Sequence, residues 1–224
     1  MNILMDHVTK RFGSTAVIDD VSLDFHSGRI YGFQGINGCG KTTLMRLIAG
    51  LLHPSAGKIM LDGVPLGGQN SFPESMGLLI ENPAFLGSYS GYQNLKLLAE
   101  IRGKIQNQDV KNAILRVGLD PDDKKKYRKY SLGMKQRLGI ACAVMEQPDL
   151  LILDEPFISL DEDGVETVFQ IIQEEKARGA LIIVACHDYD MLTKLTDEIF
   201  RITAGKITKH LVKTDGGNFV EESL

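Results

Sequence analysis

The run Gly35-Ile36-Asn37-Gly38-Cys39-Gly40-Lys41-Thr42 constrains this chain more than any other feature, because it matches G-x-x-x-x-G-K-[ST]. A strand is predicted to enter Gly35. From Lys41 the positions Leu44, Leu47, Ile48 and Leu51 repeat at helical spacing and read as core, with Pro54 and Gly57 closing the helix before the strand Lys58-Ile59-Met60-Leu61. Glycines in such a loop let successive backbone N–H groups curl around phosphate oxygens at the positive end of a helix. Lys41 is placed to reach the β- and γ-phosphates and the Thr42 hydroxyl to coordinate magnesium. Gly35, Asn37, Gly38, Cys39, Gly40, Lys41, Thr42 and Thr43 are therefore the expected nucleotide-binding residues. Cys39, near a helix N-terminus and Lys41, is expected either to favour the thiolate or to fill a small-residue position, shielded from solvent.

A second constellation follows. The four apolar residues Leu150 to Leu153 lead into Asp154-Glu155, two carboxylates where a buried strand ends beside the phosphate loop of an open sheet. Asp154 suits the magnesium shell, and Glu155 suits orientation and deprotonation of an attacking water.

Around these motifs the chain divides. Residues 1–33 alternate apolar and polar positions about turns at Phe12-Gly13-Ser14 and Ser27-Gly28, which predicts short, half-exposed antiparallel strands. Residues 84–145 carry helical patterns broken by glycines and little strand signal, so they read as an inserted helical subdomain. The runs Leu150 to Leu153 and Leu181 to Ala185 read as fully buried parallel strands, separated by a helix bearing Val165, Val168, Phe169, Ile171 and Ile172. The expected fold is a single α/β domain over 1–224. In it, 1–83 and 146–224 form a mainly parallel core with an N-terminal antiparallel β subdomain, and 84–145 form the helical subdomain.

Just ahead of the acidic strand, Tyr130-Ser131-Leu132-Gly133-Met134-Lys135-Gln136-Arg137 resembles the signature motif of ABC transporter ATPases. The resemblance runs from Met5 to about Gly205. It implies a P-loop NTPase core that binds ATP and Mg2+ and hydrolyses ATP to drive transport through a separate transmembrane permease. It also implies a homodimer or heterodimer of ATPase subunits, because in this family the signature of one subunit closes over the ATP held by its partner. Ser131 and Gly133 match the signature, whereas Leu132 replaces a glycine and Met134 a glutamine. Ser159-Leu160-Asp161 resembles the loop after the acidic strand, and Asp161 is carried over as a nucleotide contact. His187, after the next buried strand, is carried over as the γ-phosphate contact. Phe12 matches the aromatic that stacks on adenine, although an aromatic at a strand end is as often core. After Gly77-Leu78-Leu79-Ile80 the family usually has a glutamine that meets both metal and permease; here Glu81 stands, followed by Asn82-Pro83. That glutamate and Ser131-Leu132-Gly133-Met134 resemble the subgroup exporting bacitracin or lantibiotic peptides.

Composition narrows the alternatives. A formal net charge of −4 over 224 residues gives no basic excess for nucleic acid. Lys124-Lys125-Lys126-Tyr127-Arg128-Lys129-Tyr130 is then a solvated face, and Asp161-Glu162-Asp163-Gly164 lacks the spaced ligands of a calcium loop and reads as the start of a helix. A clamp acting on nucleic acid or ribosomes usually carries two ATPase units or a long insertion, and a purely regulatory ATP-binding module would not need Lys41, Asp154 and Glu155 together. Three scattered cysteines fit free thiols in a reducing compartment. No secretory signal is visible, and no apolar run nears the about 20 residues that span a bilayer. The expected location is the cytoplasm, peripheral on the inner face of the membrane through the permease.

Overall fold

The computed structural model describes residues 1–67, 72–81 and 83–223; Asn82 lies outside them. The strands are β1 (Asn2–Phe12), β2 (Thr15–His26), β3 (Ile30–Gln34), β4 (Ala56–Leu61), β5 (Val64–Pro65), β6 (Met76–Leu79), β7 (Leu150–Asp154), β8 (Leu181–Ala185), β9 (Glu198–Thr203), β10 (Lys206–Lys213) and β11 (Phe219–Glu222). The helices are α1 (Lys41–Ile48), α2 (Gly91–Arg102), α3 (Asn107–Arg116), α4 (Leu132–Val144), α5 (Glu162–Ala177) and α6 (Tyr189–Leu195). A 3-10 turn, Tyr127–Lys129, precedes α4. Among the described residues no helix is long and apolar enough to cross a membrane.

Two sheets result. An antiparallel sheet has the order β2-β1-β4-β5, and a seven-stranded sheet has the order β11-β10-β9-β3-β8-β7-β6. In the larger sheet β9, β3, β8, β7 and β6 run parallel, while on one edge β10 pairs antiparallel with β9 and β11 antiparallel with β10. The uninterrupted apolar runs behave as expected of strands covered on both faces: every residue of β7 and β8 is buried.

Two expectations need correction. The N-terminal strands β1 and β2 are long, 11 and 12 residues. Their alternation is broken by register shifts between Met5 and Val8, Val8 and Lys10, and Lys10 and Arg11, and such irregularities kink a strand without ending it. Residues 30–33 leave this antiparallel unit and form buried β3, which pairs in parallel with β8 and β9. Leu51 is also not core. The helix α1 ends at Ile48, the chain turns through Gly50 at φ 74°, and Leu51 is 47% exposed beyond it.

The core has two parts divided by the large sheet. On one face α1 packs Leu44, Met45, Leu47 and Ile48 with Phe25, Tyr31 and Phe33 beneath the antiparallel sheet. Phe25 meets Tyr31 edge-on with centroids 4.9 Å apart, an arrangement that suits the charge distribution of the rings. On the other face α4 and α5 contribute Leu138, Ile140, Val144, Val168 and Ile172. α4 lies so close to β6 that only glycine fits at position 77. A Cβ there would overlap the Ala143 carbonyl oxygen and stand 2.8 Å from Pro148 Cγ. Gly77→Ala is therefore expected to cost about 1–3 kcal/mol, the usual range for overpacking. At this size that lowers Tm by roughly 2–12 °C, measured by calorimetry; an unchanged Tm would contradict the packing.

Candidate functional site

The phosphate loop leaves the end of β3 and enters α1. Gly40, at φ 116°, caps that helix in the left-handed region, and a Cβ there would stand 2.9 Å from Ile18 Cδ1 and from the Val17 carbonyl. At Gly35 a Cβ would come within 2.5 Å of Cys39 Sγ and of the Ile202 carbonyl. Both positions thus need glycine for the close approach of backbone and not only for flexibility. The same contact fixes Cys39: its sulfur points under the loop, 5% exposed, in agreement with the shielded alternative. Its backbone remains part of the loop.

The loop borders a cleft of about 500 Å3 lined by Val17, Asn37, Gly38, Gly40, Lys41, Thr42, Thr43, Glu81, Gln136, Asp154, Glu155 and Ile158. Lys41 is buried, and its ammonium donates to the Gly35 carbonyl at 2.7 Å and the Ile36 carbonyl at 3.3 Å. Thr42 Oγ1 donates to Asp154 Oδ2 at 2.6 Å across the gap between α1 and β7. Burial pushes the Asp154 carboxyl above the ordinary aspartate range; the Thr42 bond opposes this, and the charge of Glu155 adds to the rise. A hydroxyl and a largely desolvated carboxylate converging on one point form an oxygen donor set suited to a magnesium ion that keeps several waters.

Glu155 lies one residue past β7 with φ 50°, a left-handed conformation uncommon for a non-glycine residue. Three contacts hold it. Its N–H donates to the Ala185 carbonyl at 2.9 Å, and Gln136 Nε2 donates to its carbonyl and to that of Pro156, both at 3.1 Å. The third contact pairs its carboxylate Oε2 with His187 Nδ1 at 2.9 Å. A carboxylate oriented in this way, beside a phosphate loop, is arranged to accept a proton from water. Glu81 also sits at positive φ, 61°, and its carboxylate is paired with Arg46 at 2.7 Å.

The remaining expected residues lie elsewhere. Ser131 caps α4, accepting the Met134 N–H at 3.2 Å, and Gly133 abuts the Ser159 carbonyl. With Asp161, which accepts from Arg137 and caps α5, they line a second cleft that shares no residue with the first. The Arg137 hydrogen bond holds the Asp161 carboxyl below the usual range. The start of α5 at Glu162 agrees with reading this acidic run as the beginning of a helix. Phe12 is half exposed at the end of β1 with the Lys10 ammonium 5.3 Å from its ring centre, so it is not core. Exposed lysines flank buried Tyr127 and Tyr130 in the basic run, as expected of a solvated face.

Three residues in this region had escaped the sequence reading. Gln136 stood within the quoted motif, but its bracing of Glu155 depends on how α4 meets β7. Arg46 lies off the apolar stripe of α1. Cys186, buried beside Glu155 with its thiol pushed up to about 11 by burial, carries no distinguishing spacing.

Comparison with known proteins agrees with this architecture. The family described as ABC transporter matches residues 18–158. The ABC transporter ATP-binding protein YybJ of Bacillus subtilis (strain 168) is 43% identical over 201 residues, 90% of this chain and 92% of the relative. The bacitracin transport ATP-binding protein BcrA of Enterococcus faecalis is 35% identical over 208 residues, covering 92% of this chain and 68% of the relative. The dimeric structure of MJ0796, a bacterial ABC transporter cassette, superposes with a TM-score of 0.83 at 20% identity, covering 93% of this chain and 97% of that one. By the family match over residues 18–158 and these relatives, the chain belongs to the ABC transporter family as an ATP-binding, ATP-hydrolysing subunit.

Proposed function

We propose that this subunit works as a head-to-tail pair docked on a separate membrane permease, which holds it at the inner face of the membrane, and that the assembly exports bacitracin-like antimicrobial peptides. One observation carries the pairing: within a single chain the phosphate loop with its acids and the signature residues with Asp161 line two separate clefts. Neither cleft offers both halves of a nucleotide site. A two-fold pair, of identical or different subunits, sets the first cleft of each against the second cleft of the other and makes two composite sites. The solved cassette to which the chain is similar is dimeric, which supports pairing.

In such a site the loop amides from Gly35 to Thr43, Asn37 among them, cradle the phosphates and the Lys41 ammonium moves from the loop carbonyls to the β- and γ-phosphates. Thr42 and Asp154 would hold magnesium, with Glu81 close by; bound there, the ion neutralises charge on the phosphate oxygens. Glu155 orients the water and takes its proton. His187 keeps the Glu155 carboxylate in place through Nδ1 and offers its other nitrogen to the γ-phosphate. Ser131 and Gly133 of the partner close the site from the N-terminus of α4, where a helix favours an anion. Phe12 presents its free face to adenine. Most of the acceleration then comes from positioning and fixed charge.

The permease has a place to dock. Residues 84–145 act as a helical subdomain that carries an apolar groove lined by Phe85, Leu86, Leu97, Leu98 and Ile101, and Ile101 is 79% exposed. Ala84 lines this groove three positions after Glu81 in the sequence, so a permease segment seated there would act close in the chain to the end of the strand beside the magnesium ligands. The bacitracin transporter relative supports the peptide class.

Four variants test this reading. Because a positioned base contributes about 10²–10⁴-fold, Glu155→Gln is expected to lower turnover by that factor, keep ATP binding and trap an ATP-bound dimer on sizing. Normal turnover would remove Glu155 as the base. Lys41→Ala and Ser131→Ala, each inactive alone, are expected to regain hydrolysis on mixing if the pair is of identical subunits, since a mixed pair holds one intact composite site; no recovery would refute a head-to-tail pair of identical subunits. Ile101→Glu should cut peptide resistance in cells and leave the ATPase rate of the isolated subunit unchanged. Wild-type resistance in that variant would move the permease off this groove.

A further inference from the structure

We propose that Glu155, Cys186 and His187 form an inhibitory binding site for zinc. The parallel pairing of β7 with β8 sets Asp154 opposite Ala185, so the residues that follow leave the sheet side by side. One carboxylate oxygen of Glu155, the sulfur of Cys186 and one ring nitrogen of His187 all lie within 4.8 Å of one another. Glu155 Oε2 and His187 Nδ1 are already 2.9 Å apart.

The donor set selects the ion. Magnesium and calcium take oxygen ligands, whereas a thiolate, an imidazole and a carboxylate together suit zinc, in a tetrahedron whose fourth position is left to water. Tetrahedral zinc bonds of about 2.0–2.3 Å set ligand atoms roughly 3.3–3.5 Å apart, so the Glu155–His187 hydrogen bond opens slightly as the ion enters and any wider separation within the group closes. The movable partner is His187, whose side chain is 67% exposed, while Cys186 is fixed at 3% exposure and the Glu155 side chain at 23%. Zinc enters from the His187 side, the Cys186 thiol releases its proton to solvent water as the zinc–sulfur bond forms, and the ion holds the Glu155 carboxylate and one imidazole nitrogen. Neither can then serve water or phosphate. Cys186 has no part in the hydrolysis described above, and this site gives it one. The inhibition rests on the catalytic reading of Glu155 and His187; the binding of metal does not.

The test uses the full chain, reduced and without nucleotide, with cobalt as the spectroscopic probe. Expected are a thiolate-to-cobalt charge-transfer absorption and the intense visible bands of tetrahedral cobalt, displaced by zinc, absent in Cys186→Ser and weakened in His187→Ala. With excess magnesium and ATP, micromolar zinc should stop wild-type hydrolysis and a chelator should restore it. Cys186→Ser, or Cys186→Ala if serine fails to fold, should hydrolyse ATP normally. It should need at least about tenfold more zinc, the low end of what losing even an outer partner of a metal costs. Cobalt binding without the thiolate band, or a Cys186 variant with wild-type zinc sensitivity, would overturn the site. A thiolate–cobalt spectrum in a protein whose hydrolysis ignores zinc would overturn the inhibition alone, and the Glu155→Gln measurement then tests the catalytic role separately.

Discussion

The parallel register of β3, β8 and β7 is the constraint on which the site depends. Phe33 pairs with Ala185 and Ala185 with Asp154, so three neighbouring strands end level on one edge of the sheet. Behind that edge the strands are apolar and buried on both faces, each aliphatic side chain contributing roughly 1.5–3 kcal/mol. The chemistry starts where the apolar runs stop: the phosphate loop after Gln34, the carboxylates at Asp154 and Glu155, the histidine at His187. A slip of one residue in any strand would turn its side chains to the opposite face. The hydrophobic core therefore sets the relative positions of the reactive groups, and no hydrogen bond at the rim could restore them if the strands moved.

Two adjacent carboxylates need different surroundings to do different work. Asp154 ends β7 in the regular strand and is buried, which raises its proton affinity and leaves it with Thr42 as its polar partner. Glu155 escapes that environment because the chain turns through a left-handed residue, at an expected cost of about 1–3 kcal/mol. The cost is offset by its contacts with Ala185, Gln136 and His187, which hold the side chain toward the cleft mouth. Glu81 repeats the pattern on the next strand end, with Arg46 as the partner that holds it.

Features that depend on local chemistry were legible in the sequence. The glycine loop, the strand Leu150 to Leu153 with its acids, and the helical stretch before it follow from residue type and spacing alone. What stayed hidden depends on neighbours distant in the chain. The register shifts that keep β1 and β2 continuous arise from pairing across two strands, and the inward turn of Cys39 from the closeness of Gly35. Leu51 fits the helical period but falls beyond the turn at Gly50, so periodicity alone overran the helix. Gln136 and Arg46 look like ordinary polar helix residues until tertiary structure shows what they touch. Phe12 lies outside the core, which residue type at a strand end did not decide.

The geometry of α4 explains how two separate clefts can act together. Ser131 caps this helix in the second cleft, and Gln136, five residues on and about 7.5 Å along the axis, braces the backbone of Glu155 in the first. The segment from Glu155 to Asp161 meets the same helix twice more, where the Ser159 carbonyl abuts Gly133 and where Asp161 pairs with Arg137. Three contacts over barely two turns tie the start of α4 to the segment that begins at Glu155. A displacement of the α4 N-terminus that left Glu155 in place would have to break the buried Gln136 bonds, which leaves polar groups unpaired at about 1–3 kcal/mol each. On the proposed pairing, a contact made at Ser131 would be passed to Glu155 by direct packing, without any long-range path.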